Sequence, residues 1–293
     1  MGGEDLMDIK RVGIAGSGAM GAGIAEVAAM AGFEVVLRSR AQKTADAAVS
    51  RVAKSLESQV DKGKLPAEER DAALDRLRGV SDLAELSDCD LVLESVVEDL
   101  GVKQEIFREL DKICPDETIL ATNTSTLPVV ELATSTERPD RVLGLHFFNP
   151  APKMPLVEIV PALTTDDDTV AVARQFAEDC GKNPVVAQDK AGFIVNALLF
   201  PYLNGAVRML ENGVATKEDI DEAMKGGCGF PMGPLELLDL IGLDTSESIL
   251  NALCAENPDP GCMPAPLLKR MVAANQLGRK TGRGFYDYNR NGH

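Results

Sequence analysis

A chain of 293 residues, 45% of them hydrophobic, is long enough to bury a substantial core in one large domain or two, which excludes a disordered protein. The formal net charge of −16 argues against nucleic acid or an anionic membrane surface as partner, so any polyanionic ligand must find a local basic patch. Cys89, Cys114, Cys180, Cys228, Cys254 and Cys262 form no C-x-x-C pair and meet no histidine at zinc spacing, which reads as reduced thiols, no metal centre and a cytoplasmic protein.

The first residues, Met1-Gly2-Gly3-Glu4-Asp5, are acidic where a secretory signal is basic. Residues 11–16 form an apolar strand that runs into Gly16-Ser17-Gly18-Ala19-Met20-Gly21, an alanine-rich helix to about residue 31, and a second strand over 34–38. A G-x-G-x-x-G turn framed by strand, helix and strand is the context in which that motif binds a dinucleotide. Gly16 permits the tight turn, Gly18 lets the backbone approach a pyrophosphate, and Gly21 lets helix and strand pack closely. The helix start at Ala19 and Met20 offers N–H groups and a favourable dipole to the phosphates. Where an Asp or Glu commonly binds the adenosine ribose, this chain carries Arg38-Ser39-Arg40. Ser and Arg bind and neutralise a 2′-phosphate that a carboxylate would repel, so NADP(H) is favoured; arginines stacked on adenine, with NAD(H) accepted, are the alternative.

Residues 41–78 read as two charged amphipathic helices split at Gly63-Lys64-Leu65-Pro66, a helical insertion with Arg51, Lys54, Lys62 and Lys64 as its basic cluster. Strands follow over 90–97 and 118–123, with a helix over 102–113 between them, and the second strand opens into the polar loop Thr124-Ser125-Thr126-Leu127-Pro128. Residues 141–146 and 156–160 read as strands, 168–180 as a helix and 184–187 as a strand. Beyond residue 188 strand patterns stop, and helices are expected over 193–212, 216–225, 234–240, 245–255 and 266–276. The expectation is an α/β fold: a Rossmann-like dinucleotide-binding domain over residues 1–188 with a helical insertion, then an all-α domain over 189–293. The uncharged run over 191–207 is interrupted by Asn196, Pro201 and Asn204, so it reads as a core helix and not a membrane span. A helix apolar almost all round suggests burial at a domain or subunit interface, hence a homodimer through the helical domain.

His146 is the only internal histidine, the other being the terminal His293. It ends the strand over 141–146, at the carboxyl edge where α/β sheets place ligands. Pro150, Pro152 and Pro155 turn the chain, and the next short strand carries Glu158 back towards the imidazole. A base and its orienting carboxylate would then face each other; a core histidine bonded to a carbonyl, with Glu158 on a solvated face, is the alternative.

Taken together, the motifs resemble the short-chain L-3-hydroxyacyl-CoA dehydrogenases, including 3-hydroxybutyryl-CoA dehydrogenases. The matching stretches are Gly16-Ser-Gly-Ala-Met-Gly21, Thr122-Asn-Thr-Ser125, Leu145-His-Phe-Phe-Asn-Pro150, Leu156-Val-Glu158, Gly192-Phe-Ile-Val-Asn196, Pro231-Met-Gly-Pro234 and the glycine-rich segment from Gly278 through Gly282 to Tyr286. The resemblance implies His146 as general base or acid, Glu158 as its electrostatic support, and Ser125 and Asn196 as hydrogen-bond partners of the substrate oxygens. It implies cofactor contacts for Glu98, Lys103, Asn123 and Lys280, and coenzyme A contacts for Ser55, Lys62 and Asn149 or its neighbours. The activity implied is reversible oxidation of (S)-3-hydroxyacyl-CoA to 3-oxoacyl-CoA by a stand-alone dehydrogenase. Alternatives are a paralogue acting on a carrier-bound thioester, or a non-catalytic, crystallin-like dinucleotide binder. The clearest departure from the family lies at Ser39, where relatives usually carry an acidic residue; Thr126 and Gly226-Gly-Cys-Gly-Phe230 are milder ones.

Overall fold

The computed structural model describes residues 7–288, so His293 lies outside the described residues; the backbone divides into two compact units, Met1–Asp189 and Lys190–His293. In chain order the first unit is β1 (Arg11–Ala15), α1 (Ala19–Met30), β2 (Glu34–Arg38), α2 (Gln42–Asp61), α3 (Ala67–Asp75), β3 (Leu77–Val80), β4 (Leu91–Glu94), α4 (Leu100–Ile113), β5 (Ile119–Thr122), α5 (Val129–Ala133), β6 (Val142–Phe147), β7 (Leu156–Pro161), α6 (Asp167–Asp179) and β8 (Asn183–Val186). The strands form one eight-stranded sheet in the order β3-β2-β1-β4-β5-β6-β7-β8. Every ladder is parallel except β6 with β7. All residues of β4, β5 and β6 are buried, the pattern of a parallel sheet covered on both faces. The order reverses between β1 and β4, so the glycine turn after β1 opens at the crevice where such sheets bind ligands.

Two elements of this unit differ from the sequence reading. The helical insertion ends at Asp75, and Leu77–Val80 forms β3, the edge strand beside β2. A four-residue edge strand carrying an exposed Arg78 has too weak an alternation to register. The short α5 was also not expected; Asp189 holds its first turn, accepting from the Val129 and Val130 N–H groups at 2.8 Å each.

The second unit contains helices α7 (Val195–Glu211), α8 (Lys217–Cys228), α9 (Pro234–Ile241), α10 (Leu243–Glu256) and α11 (Pro266–Ala273). Its core is Phe200, Leu203, Val207, Leu235, Leu250 and Leu268 with their neighbours. Gly192 and Phe193 both adopt positive φ, which delays the start of α7 to Val195. Two buried carboxylates lash the C-terminal segment to these helices. Asp239 accepts from the Phe285 and Tyr286 N–H groups at 2.9 Å each, and Asp221 accepts from Leu235 N–H and the Tyr286 hydroxyl at 2.8 Å each. A Cβ on Gly284 would lie 1.9 Å from Asp239 Oδ1, and one on Gly233 would lie 2.2 Å from Asp221 Cβ. Those glycines of the P-M-G-P and G-R-G-F-Y motifs therefore serve carboxylate packing. Within its unit α7 buries Phe200 and Leu203 but leaves Leu198 72% exposed. No helix among the described residues is long and apolar enough to cross a membrane.

Candidate active site

The glycine turn has the shape that a pyrophosphate requires. Gly16 sits at φ +139°, and a Cβ there would meet Ser95 O at 2.1 Å; a Cβ on Gly21 would meet Gly16 O at 2.0 Å. Gly18 faces open space instead, with no atom within 4 Å of a Cβ built on it. It leaves the start of α1 accessible, and that helix has no side-chain cap and no acidic residue in its first turn. Beside it lies a cavity of about 490 Å³ lined by Ser17, Arg38, Ser39, Arg40, Thr44 and the apolar Val97, among others.

Ser39 lines that cavity, and its hydroxyl is engaged by two neighbouring hydroxyls. The Thr44 hydroxyl donates to Ala41 O at 2.7 Å, so the 2.5 Å contact between Ser39 and Thr44 must use the Ser39 proton. The 2.7 Å contact between Ser17 and Ser39 then uses the Ser17 proton. All three hydroxyl protons are committed within the chain.

The carboxyl ends of β4, β5 and β6 gather the polar residues. Glu94, wholly buried at the end of β4, receives Lys103 Nζ at 2.8 and 2.9 Å, the Thr122 hydroxyl at 2.8 Å and the Val96 N–H at 2.6 Å. Lys103 is only 1% exposed and also lies 3.3 Å from Glu98 Oε2. Glu98 Oε1 in turn accepts from the Thr124 hydroxyl and from the Ser125 N–H at 3.0 Å. Two carboxylates thus hold the Lys103 ammonium, the residue expected to contact the cofactor, in a buried position. The Ser125 hydroxyl makes no hydrogen bond among the described residues. Asn123 Oδ1 accepts from Phe147 N–H at 2.8 Å, which ties the Ser125 loop to the end of β6.

The antiparallel register sets His146 directly opposite Glu158. Nδ1 lies 2.7 Å from Glu158 Oε2, with His146 6% and Glu158 0% exposed. The Phe148 ring packs 4.5 Å from the imidazole, centroid to centroid. Asn149 is exposed at the start of the turn that follows. Lys182 holds that turn, donating to Ala151 O at 2.7 Å and Met154 O at 3.0 Å. Burial lowers the Lys182 pKa from its ordinary value.

The remaining expected residues lie on other elements. Ser55 hydrogen-bonds Glu26, whose carboxyl is raised by burial, and Lys62 is exposed at the end of α2. In the second unit Asn196 is 8% exposed on the first turn of α7, and Lys280 bonds Asp244 at 2.5 Å. Sequence reasoning missed Glu94 and Lys182. The signal for Glu94 was a carboxylate closing an otherwise apolar buried strand, a position that requires a partner.

Residues 11–190 match the family model described as 3-hydroxyacyl-CoA dehydrogenase, NAD binding domain, and residues 192–288 match 3-hydroxyacyl-CoA dehydrogenase, C-terminal domain. The chain belongs to the 3-hydroxyacyl-CoA dehydrogenase family. It is 51% identical to a 3-hydroxybutyryl-CoA dehydrogenase of Mycobacterium tuberculosis over 96% of this chain and 99% of that one. A 3-hydroxybutyryl-CoA dehydrogenase of Clostridioides difficile is 45% identical, over 96% of this chain and 100% of that one. The crystal structure of M. tuberculosis FadB2 superimposes with a TM-score of 0.94 at 51% identity, covering 96% of this chain and 100% of that one. As a 3-hydroxyacyl-CoA dehydrogenase the protein is an oxidoreductase that uses a nicotinamide dinucleotide. The turn fits that cofactor: side chains are sterically barred at Gly16 and Gly21, and Gly18 is open towards an uncapped helix start.

Proposed function

We propose that the protein interconverts short-chain (S)-3-hydroxyacyl-CoA, foremost 3-hydroxybutyryl-CoA, and the corresponding 3-oxoacyl-CoA, with His146 as general base and acid and NADP(H) favoured over NAD(H). The observation that carries the reading is the buried His146–Glu158 pair, 2.7 Å apart at the carboxyl edge of the sheet. The substrate class follows that of the 3-hydroxybutyryl-CoA dehydrogenases at 45–51% identity, which also favours a coenzyme A thioester over a carrier-bound one.

In the oxidative direction the imidazole accepts the proton of the C3 hydroxyl. Glu158, bound at Nδ1, fixes the tautomer whose Nε2 carries a lone pair, and it stabilises the imidazolium formed. The nicotinamide, when bound, supplies the hydride acceptor or donor. In the reductive direction the imidazolium returns its proton to the C3 oxygen. The Ser125 hydroxyl, on a loop pinned by Glu98, donates to the carbonyl oxygen as it gains charge. Asn123 keeps its amide N–H₂ for a ligand because its carbonyl oxygen is held by Phe147. The substrate role of Asn196, the cofactor role of Lys280 and the coenzyme A roles of Ser55, Lys62 and Asn149 rest on the family correspondence. The exposed Leu198 on α7 supports a homodimer formed through the helical unit.

NADP(H) preference rests on the cavity lining, which holds Arg38 and Arg40 and no carboxylate. The test is initial rates of acetoacetyl-CoA reduction with NADPH and NADH at matched concentrations. Faster turnover with NADPH supports the whole reading. Faster turnover with NADH reassigns the arginines to adenine, and no turnover with either removes the substrate assignment.

A further inference from the structure

We infer that Arg51, on α2 of the helical insertion, is a specificity-determining residue that reads the 2′-phosphate of the cofactor together with Arg38 and Arg40; this inference rests on the NADP(H) reading above. Removing a carboxylate from the ribose pocket abolishes repulsion but does not by itself supply attraction. Attraction requires donors, and the hydroxyls of Ser17, Ser39 and Thr44 have each committed their single proton within the chain. Recognition of a doubly charged oxyanion at this pocket therefore falls to guanidinium groups.

Two of them line the cavity, and a third is bonded to a residue that lines it. Arg38 and Arg40 line the cavity, and Arg38 Nε is buried without a hydrogen-bond partner. Arg51 comes from the insertion. Its Nη2 donates to the backbone carbonyl of Ser17, the turn residue whose hydroxyl bonds Ser39 and which lines the same cavity. Helical periodicity explains the reach: Thr44 and Arg51 are seven residues apart, so they share one face of α2 about 10 Å apart along its axis. Thr44 closes the hydroxyl chain at one end of that stripe, and Arg51 meets the glycine turn at the other.

The bond to Ser17 uses one N–H of a group that has five, so the guanidinium is anchored and still able to donate. None of Arg38, Arg40 and Arg51 forms an ion pair among the described residues. In a chain of net charge −16 this is a local concentration of uncompensated positive charge beside a cavity without an acidic lining residue. A planar, anchored fork is suited to phosphate oxygens in a way that a flexible ammonium is not.

The test is calorimetric binding of two cofactor fragments, 2′,5′-ADP and 5′-AMP, to the intact protein, to Arg51→Gln and to Arg51→Lys, with circular dichroism verifying the fold. The quantity read is the ratio of their dissociation constants, so a general loss of adenosine affinity cancels. Wild type is expected to bind 2′,5′-ADP more tightly. Arg51→Gln is expected to lower that discrimination by about 10- to 100-fold, the range for losing a charge-assisted contact, and Arg51→Lys to lower it less. Equal affinity of wild type for both fragments overturns the NADP(H) reading and this inference with it. A clear wild-type preference that survives Arg51→Gln within twofold overturns the role of Arg51 and leaves the preference to Arg38 and Arg40.

Discussion

His146 and Glu158 are direct cross-strand partners in the one antiparallel ladder of an otherwise parallel sheet, joined at 2.7 Å between Nδ1 and Oε2. The reversal of β7 against β6 creates this pairing, because a parallel neighbour would have arrived after a long crossover and in slanted register. The carboxylate is wholly buried, so its partner is required for the charge to remain there. Replacing Glu158 by Gln preserves shape and removes the charge. It is expected to lower kcat by roughly 10²-fold with little change in KM, since stabilisation of the imidazolium is lost and ground-state binding is not. Steady-state kinetics on the folded variant checks this, and a kcat within threefold of wild type would contradict the assigned role.

The Glu94–Lys103 pair makes a stability prediction. Both side chains are buried, at 0% and 1% exposure, and Lys103 is the cation against both Glu94 and Glu98. Removing the cation alone strands a buried carboxylate, so Lys103→Met is expected to cost about 3–5 kcal/mol in chemical denaturation. The double variant Glu94→Gln/Lys103→Met should recover part of that loss. A single variant within about 1 kcal/mol of wild type would contradict the buried charge pairing described.

In the second unit, Gly284→Ala places a methyl group 1.9 Å from Asp239 Oδ1. Either the carboxylate or the C-terminal segment must move, and two backbone donors lose their partner. An expected destabilisation of about 2–4 kcal/mol follows from overpacking plus unsatisfied N–H groups. Thermal or denaturant unfolding measures it, and an unchanged midpoint would show that the segment is not held as described.

Burial pushes the thiols of Cys89 and Cys180 up to about 12 and that of Cys114 up to about 11. Only the thiolate alkylates, and at pH 8 a thiol of pKa 12 is ionised to about one part in 10⁴. Iodoacetamide on the native protein at pH 8 should modify the exposed Cys228 and spare Cys89 and Cys114, with labelling of the buried pair rising as pH approaches 11. Peptide mapping by mass spectrometry would contradict this if Cys89 were modified as fast as Cys228.

Much of the fold was legible because its elements are long, strongly periodic or punctuated. The glycine turn carries its own steric signature, and the all-buried strands β4, β5 and β6 read as apolar runs. The edge strand Leu77–Val80 was illegible because it is only four residues long and the exposed Arg78 breaks the pattern. At the site, His146 and Glu158 stood out by scarcity of histidine and by spacing. Glu94 was overlooked although it closes an otherwise apolar strand, because the partners that mark its carboxylate, Lys103 and Thr122, come from later elements of the chain. The same limit applied to Ser39: its replacement of an acidic residue is visible in sequence, whereas the commitment of its proton to Thr44 depends on where α2 packs.

The central claim is that His146 performs the proton transfer of 3-hydroxyacyl-CoA oxidation and reduction. Its most direct test is the initial rate of acetoacetyl-CoA reduction by wild type and by His146→Gln at saturating cofactor. Turnover by the wild type, with loss of about 10²–10⁴-fold in the variant, is the predicted result. A variant within tenfold of wild type would contradict it and move the proton chemistry to another group.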